Sequence, residues 1–157
     1  MFTLIITIIA IALVAALAVA SLYYGGSAFT QGTAKAEASA LVAQAQQISA
    51  ANDLFANDNA GSFATATTDL TSNGYLSAWP QIPASVGGIW ALTSATEDQE
   101  TATITNIAVC NEVNAEAQGT ASGTTPAMPA TVSSATTQFG CAGTTSGTSF
   151  TVFYSGS

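Results

Sequence analysis

The sequence predicts an α+β protein. A long N-terminal stem helix, apolar in its lower half and amphipathic in its upper half, packs on a small antiparallel sheet with a C-terminal disulfide-bounded region. Three observations predict it. Residues 1–24 carry no charged side chain, residues 34–55 repeat apolar side chains at helical spacing, and β-branched and aromatic runs from Ile89 onward bracket two cysteines.

The first stretch reads MFTLIITIIAIALVAALAVASLYY, with Thr3, Thr7, Ser21 and the hydroxyls of Tyr23 and Tyr24 as its polar breaks. At about 1.5 Å per residue it is roughly 35 Å long, enough to cross the hydrocarbon of a bilayer. Leu, Ile and Val suit lipid contact. The alanines at Ala10, Ala12, Ala15, Ala16, Ala18 and Ala20 permit close helix packing, and Tyr23 and Tyr24 fall where an interfacial aromatic belt is expected. No basic residue stands before the run, and Lys35 is the one cation of the chain. A signal or signal anchor takes its orientation from flanking basic residues, so the expectation is that a basic leader has already been removed. Ser21-Leu22-Tyr23-Tyr24 is too bulky for a signal-peptidase site, so the apolar run is expected to stay on the mature protein.

Gly25 and Gly26 follow the tyrosines. Glycine within a helix costs up to about 1 kcal/mol relative to alanine, so a bend or local break is expected there. Beyond it, Ala34, Ala38, Leu41, Ala45, Ile48 and Phe55 share one helical face with Val42 and Ala51 beside them. Lys35, Glu37, Gln44 and Gln47 fall mostly on the other. Thr30 or Thr33 signals the start of this amphipathic half, and Asn57-Asp58-Asn59-Ala60-Gly61 its end. Residues 1–26 thus read as a transmembrane or filament-core segment, and residues 27–157 as a globular head that includes the amphipathic half of the stem.

From Gly61 to Pro83 the periodicity fades into a loop or short helix, pinned by Phe63, Leu70, Tyr75, Leu76 and Trp79. Ile89 to Thr93 reads as a strand, Glu97-Asp98-Gln99-Glu100 as a solvated polar turn, and Thr101 to Val109 as an antiparallel return strand. A short helix through Ala115, Glu116 and Ala117 follows. Gly119 to Gln138 is a Thr/Ser/Ala-rich surface excursion, and Ser149 to Tyr154 a final strand.

Composition narrows the function classes. The formal net charge is −8 with nine acids against Lys35, which argues against direct nucleic-acid binding, since phosphate contacts need Lys and Arg. There is no His and no Arg, and no serine has a base to activate it, so no catalytic residue is assigned and the chain is not read as an enzyme. Asp53, Asp58 and Asp69 with Asn57 and Asn59 lack EF-hand spacing, and a solvated loop is preferred to a metal site. No cofactor is expected. Cys110 and Cys141 lie in the exported half, where a disulfide is permitted; a reduced, buried pair is the other reading. A bond would close a loop of about thirty residues, worth roughly 3–4 kcal/mol in the chain-entropy model.

An apolar N-terminal run continuing as an amphipathic helix into a small sheet resembles a type IV pilin, most nearly of the type IVb branch. Met1 as first mature residue, Tyr23-Tyr24, Asn73-Gly74-Tyr75-Leu76 after the stem helix and Gly87-Gly88 entering the first strand are similar to that family. So are Val-Cys-Asn-Glu-Val-Asn around Cys110 and Phe139-Gly140-Cys141. The resemblance implies cleavage of a basic leader by a prepilin peptidase and N-terminal methylation at Met1. It also implies a pilus assembly machinery, an inner-membrane pool before assembly, and a cell-surface filament serving adhesion, motility, secretion or conjugative mating. Type IV pilins carry Glu at the fifth mature position, to offset the N-terminal amine of a neighbouring subunit. Here that position is Ile5, and the first acid is Glu37. Acid-free N-terminal segments are more usual in archaeal pilins and flagellins, whose apolar helix and β-rich head are similar.

The expected function is a structural subunit that polymerises with copies of itself. Withdrawn from lipid, the stem must bury its surface against other stems, at about 25 cal/mol per Å2 of apolar area. Phe2, Leu4, Ile5, Ile8, Ile9, Leu13, Ala16 and Leu17 are the expected filament-core residues. A heterologous interface that does not close produces a filament. A membrane-anchored surface binding domain that never polymerises is the alternative.

Overall fold

The computed structural model describes residues 2–93, 98–121, 123, 125–144 and 146–156. Helix α1 runs over Phe2–Asp58, followed by a short helix α2 (Thr67–Ser72), strands β1 (Trp90–Leu92) and β2 (Gln99–Ile104), helix α3 (Ile107–Gln118), a 3-10 turn at Val132–Ser134, and strands β3 (Phe139–Ala142) and β4 (Phe150–Ser155). The chain divides into two compact units, residues 1–33 and residues 34–157.

In the first unit every described residue is helical. The break expected at Gly25 and Gly26 is absent: both lie inside α1, and a Cβ on either would meet nothing within 4 Å. The propensity cost of a glycine, about 1 kcal/mol, is small beside the backbone bonds that a long helix keeps on either side of it. Thr30 and Thr33 do not cap a new helix either. Their hydroxyls donate back to the carbonyls of Gly26 and of Phe29 and Thr30, which removes the polar group from competition with the helix.

In the second unit the remaining part of α1 lays Ala34, Ala38, Leu41, Ala45 and Ile48 into the core. Their spacing of three and four keeps them on one face of the helix. The antiparallel sheet has the order β1-β2-β4-β3. Trp90 stands opposite Ala102, Ala102 opposite Val152, and Val152 opposite Cys141, so one row of side chains crosses all four strands beneath α1. All four are buried. Period-2 alternation places Glu100, Ala102 and Ile104 on the same inward face, each fully or almost fully buried.

The strand expected over residues 101–109 ends at Ile104. The Asn106 side chain accepts from the backbone N–H of Ala108 and Val109 and starts α3 at Ile107. An N-cap of this kind satisfies donors that the first helical turn leaves free, and it overrides the β preference of Ile107 and Val109. Gly119, at φ 64°, closes α3. Before β1, Gly88 adopts φ +98° and passes so near the Thr103 carbonyl that a Cβ would lie 1.9 Å from its oxygen. No side chain fits there. The Cys110–Cys141 disulfide joins α3 to β3 and closes the excursion between them.

Candidate assembly surface and the acid cluster of the head

Among the described residues of the first unit, the large apolar side chains stand exposed. Phe2 is 82% exposed, and Leu4, Ile5, Ile8, Ile9, Leu13 and Leu17 each remain more than half exposed. Ala16 is exposed as well. The mean hydropathy of the most apolar 18-residue window is 2.9, and none of that window is buried. By length and composition α1 is therefore a candidate membrane span. A shallow apolar groove along it is lined by Ala10, Ile11, Val14, Ala15 and Ala18, where the small side chains leave room between the branched ones. Thr7 does not spoil the surface, because its hydroxyl donates to the Leu4 carbonyl at 2.9 Å. Tyr23 and Tyr24 meet edge to face with ring centroids 5.6 Å apart, and both are largely exposed. Met1, the expected site of processing and methylation, lies outside the described residues.

A band of contiguous apolar side chains of this length is far larger than soluble monomers leave open to water.

The polar groups of the head are tied down differently. Asp98 and Glu100, expected on a solvated turn, are buried; Glu97 of the same run lies outside the described residues. Asp98 accepts from Ser49 Oγ at 2.6 Å and from Asn52 Nδ2 at 2.9 Å, both on α1. Asn52 Oδ1 accepts in turn from the Ala64 backbone N–H at 2.9 Å, which pins the loop after α1. Glu100 is fully buried, and neither of its carboxyl oxygens has a hydrogen-bond partner. Burial, and then the neighbouring charge of Asp98, push its carboxyl up to about 9. The same cluster raises Asp53, through burial and the Asp98 charge, and Tyr154, through burial and the charges of Glu100, Asp98 and Asp53.

The sequence reading missed this network. The available signal was the two-residue spacing of Asp98, immediately before β2, and Glu100 within it, which turns both to the buried side. Acids are so rarely buried that a hairpin tip was the natural reading. Trp90 Nε1 donates to Gln44 Oε1 at 2.9 Å, so Gln44 also serves the sheet rather than the solvent. Lys35 borders a separate cleft with Ser39, Glu112 and Glu116. Among the described residues, no three His, Cys, Asp or Glu side chains converge as metal ligands.

No family model, curated protein or solved structure matches the chain.

Proposed function

We propose that this chain is the structural subunit of an extracellular filament of the type IV pilin kind, held in a membrane before assembly and polymerised through residues 2–24. The observation that carries the reading is the uncharged helical band on which Phe2, Leu4, Ile5, Ile8, Ile9, Leu13 and Leu17 all stand exposed, beside a head that buries its own core without them. A long apolar helix entering a head of antiparallel sheet with one disulfide is compatible with a pilin fold, which supports the same reading.

The physical chain is short. In lipid the stem gains little by meeting another stem, because acyl tails are as apolar as leucine. Outside lipid its apolar area must be covered, and copies of the same stem are the surface always at hand. Alanine-lined stretches such as Ala10, Ala15 and Ala18 admit a neighbouring backbone closely.

Substituting Ala16→Asp tests the reading. An ionised carboxylate among packed stems is costly, so filaments should vanish while the head keeps its fold and its disulfide. Filaments in normal yield from that variant would remove the proposal. A variant that alters only membrane retention, in cells that never make filaments, points to the anchored binding domain.

A further inference from the structure

Asp98 and Glu100 are buried side by side, and the fold provides for only one of them. Asp98 is held on two sides. Its carboxylate accepts from Ser49 Oγ and Asn52 Nδ2 of α1, and its backbone carbonyl accepts from the Gly156 N–H at 2.7 Å. Glu100 has no exposed surface, and neither of its carboxyl oxygens meets a hydrogen-bond partner. Asp98 and Asn52 are its polar neighbours. A buried carboxyl with both oxygens bare is rare enough to ask what it holds.

The side chains of this protein offer the pair no counter-charge. Lys35 is the one basic residue, His and Arg are absent, and Lys35 borders the separate cleft of Glu112 and Glu116. The other titratable groups at the cluster are Asp53 from α1 and Tyr154 from β4, which stands opposite Glu100 in the strand register. Leu92, the partner on β1, does not titrate. The compensating charge therefore comes from solution. A proton shared with Asp98 would serve one Glu100 oxygen and leave the other a buried acceptor without a donor. A divalent cation meets both oxygens and balances two carboxylates.

We propose that Asp98 and Glu100 are the anionic ligands of a hard divalent cation, of the calcium class, at the junction of β2 with residues 49–52 of α1. The donor set decides the class. Both cysteines are joined to each other and the chain has no His, so soft and imidazole-seeking metals find nothing here. Among the described residues no third acid joins the pair, so the other coordination positions fall to neutral oxygens, the Ser49 hydroxyl and water. Water and the ion have a route, because Asp98 forms part of the wall of a cleft of about 540 Å3 with Gln99, Ser133, Thr137 and Ser155. Gly156 leaves the acid room. A Cβ there would fall on the Asp98 carboxylate, so no other residue type fits beside it. Two carboxylates place the affinity at the weak end of calcium sites, about 0.1–1 mM, the class of extracellular modules. The ion adds Glu100 to the ties that Asp98 already makes from the start of β2 to α1 and to the end of β4.

The test uses the full chain in nonionic micelles at pH 8, with calcium chloride alone as the probe. Urea unfolding is read from the emission of Trp90, which is buried on the strand next to β2. Against a chelator, calcium at about 10 mM should raise the wild-type folding constant about tenfold or more. The increase should be lost in Glu100→Gln and in Asp98→Asn, both of which keep the size of the side chain and remove a charge. No increase in the wild type overturns the proposal and leaves the pair to share a proton. An equal increase in wild type and variants overturns it as well, since the ion then binds elsewhere on an acidic chain. Terbium luminescence on the wild type is independent of whether either variant folds. Emission sensitised by the aromatic rings, saturating at one ion per chain and displaced by calcium, supports the site, and its absence refutes it.

Discussion

The side-chain amide of Asn114 brackets the backbone of Cys141. Asn114 Nδ2 donates to the Cys141 carbonyl at 2.8 Å, and Asn114 Oδ1 accepts from the Cys141 N–H at 2.8 Å. An amide side chain thus does for the outer edge of β3 what a further strand would do, beside the disulfide that joins the same two elements. An open strand edge invites pairing with other chains, and this one is closed by a helix.

Replacing that amide should be felt at once. Asn114→Ala leaves a buried N–H and a buried C=O unpartnered, at about 1–3 kcal/mol each, so a loss of roughly 2–6 kcal/mol in urea unfolding is expected. Asn114→Asp keeps the acceptor but not the donor and adds a buried charge, so it should not rescue the fold. A loss below half a kcal/mol would mean that solvent or a relaxed strand replaces the bracket.

Reduction of the disulfide bears on the same junction. The bridged residues are 31 apart in sequence, a separation for which the chain-entropy account gives about 3–4 kcal/mol. Thermal unfolding with and without a phosphine reductant should differ accordingly, and limited proteolysis of the reduced protein should cut first between Gly119 and Gln138. Equal melting under both conditions would assign the bond no part in holding the head.

Two glycine substitutions should act in opposite directions. Gly88→Ala sets a Cβ against the Thr103 carbonyl at a positive φ, so β1 cannot pair with β2 without moving; a cost above about 1 kcal/mol is expected in the same urea assay. Gly25→Ala meets nothing and lies inside α1, so it should raise helix stability by up to about 1 kcal/mol, seen as slower amide exchange around residue 25 in micelles. Faster exchange there in the alanine variant would restore the idea of a built-in break.

Tyr75 offers a pH effect. Its hydroxyl donates to Asp58 Oδ2 at 2.8 Å, and this bond, followed by desolvation and the Asp58 charge, raises the phenol above the ordinary value of 10. The sign is fixed by the raised value: the bond contributes below pH 10 and is lost as the phenol ionises above it. Ultraviolet titration should find two late-ionising tyrosines in the wild type, Tyr75 and Tyr154, and only one of them in Tyr75→Phe.

Much of this architecture was legible in the sequence. The apolar stem and the face containing Ala38, Leu41, Ala45 and Ile48 followed from periodicity, because a helix buries one side whatever it packs on. Strands at Trp90 and Phe150 followed from β-branched and aromatic runs between turns. What failed was decided by single polar side chains or by helix length. Asn106 ends a β-rich run by capping a helix, Gly25 and Gly26 are absorbed by a helix long enough to bear them, and Asp98 and Glu100 are buried because α1 supplies Ser49 and Asn52 to one of them. The stem surface was the most readable feature, since its composition leaves so few places for it to go. The acid cluster was the least, since its members meet only through the fold.

The measurement that bears most directly on the central claim is electron microscopy of material sheared from cells that make this chain and from cells lacking its gene. The account predicts thin filaments that contain the chain by mass spectrometry and disappear with the gene. Filaments unaffected by the deletion, with the chain confined to membranes, would contradict it.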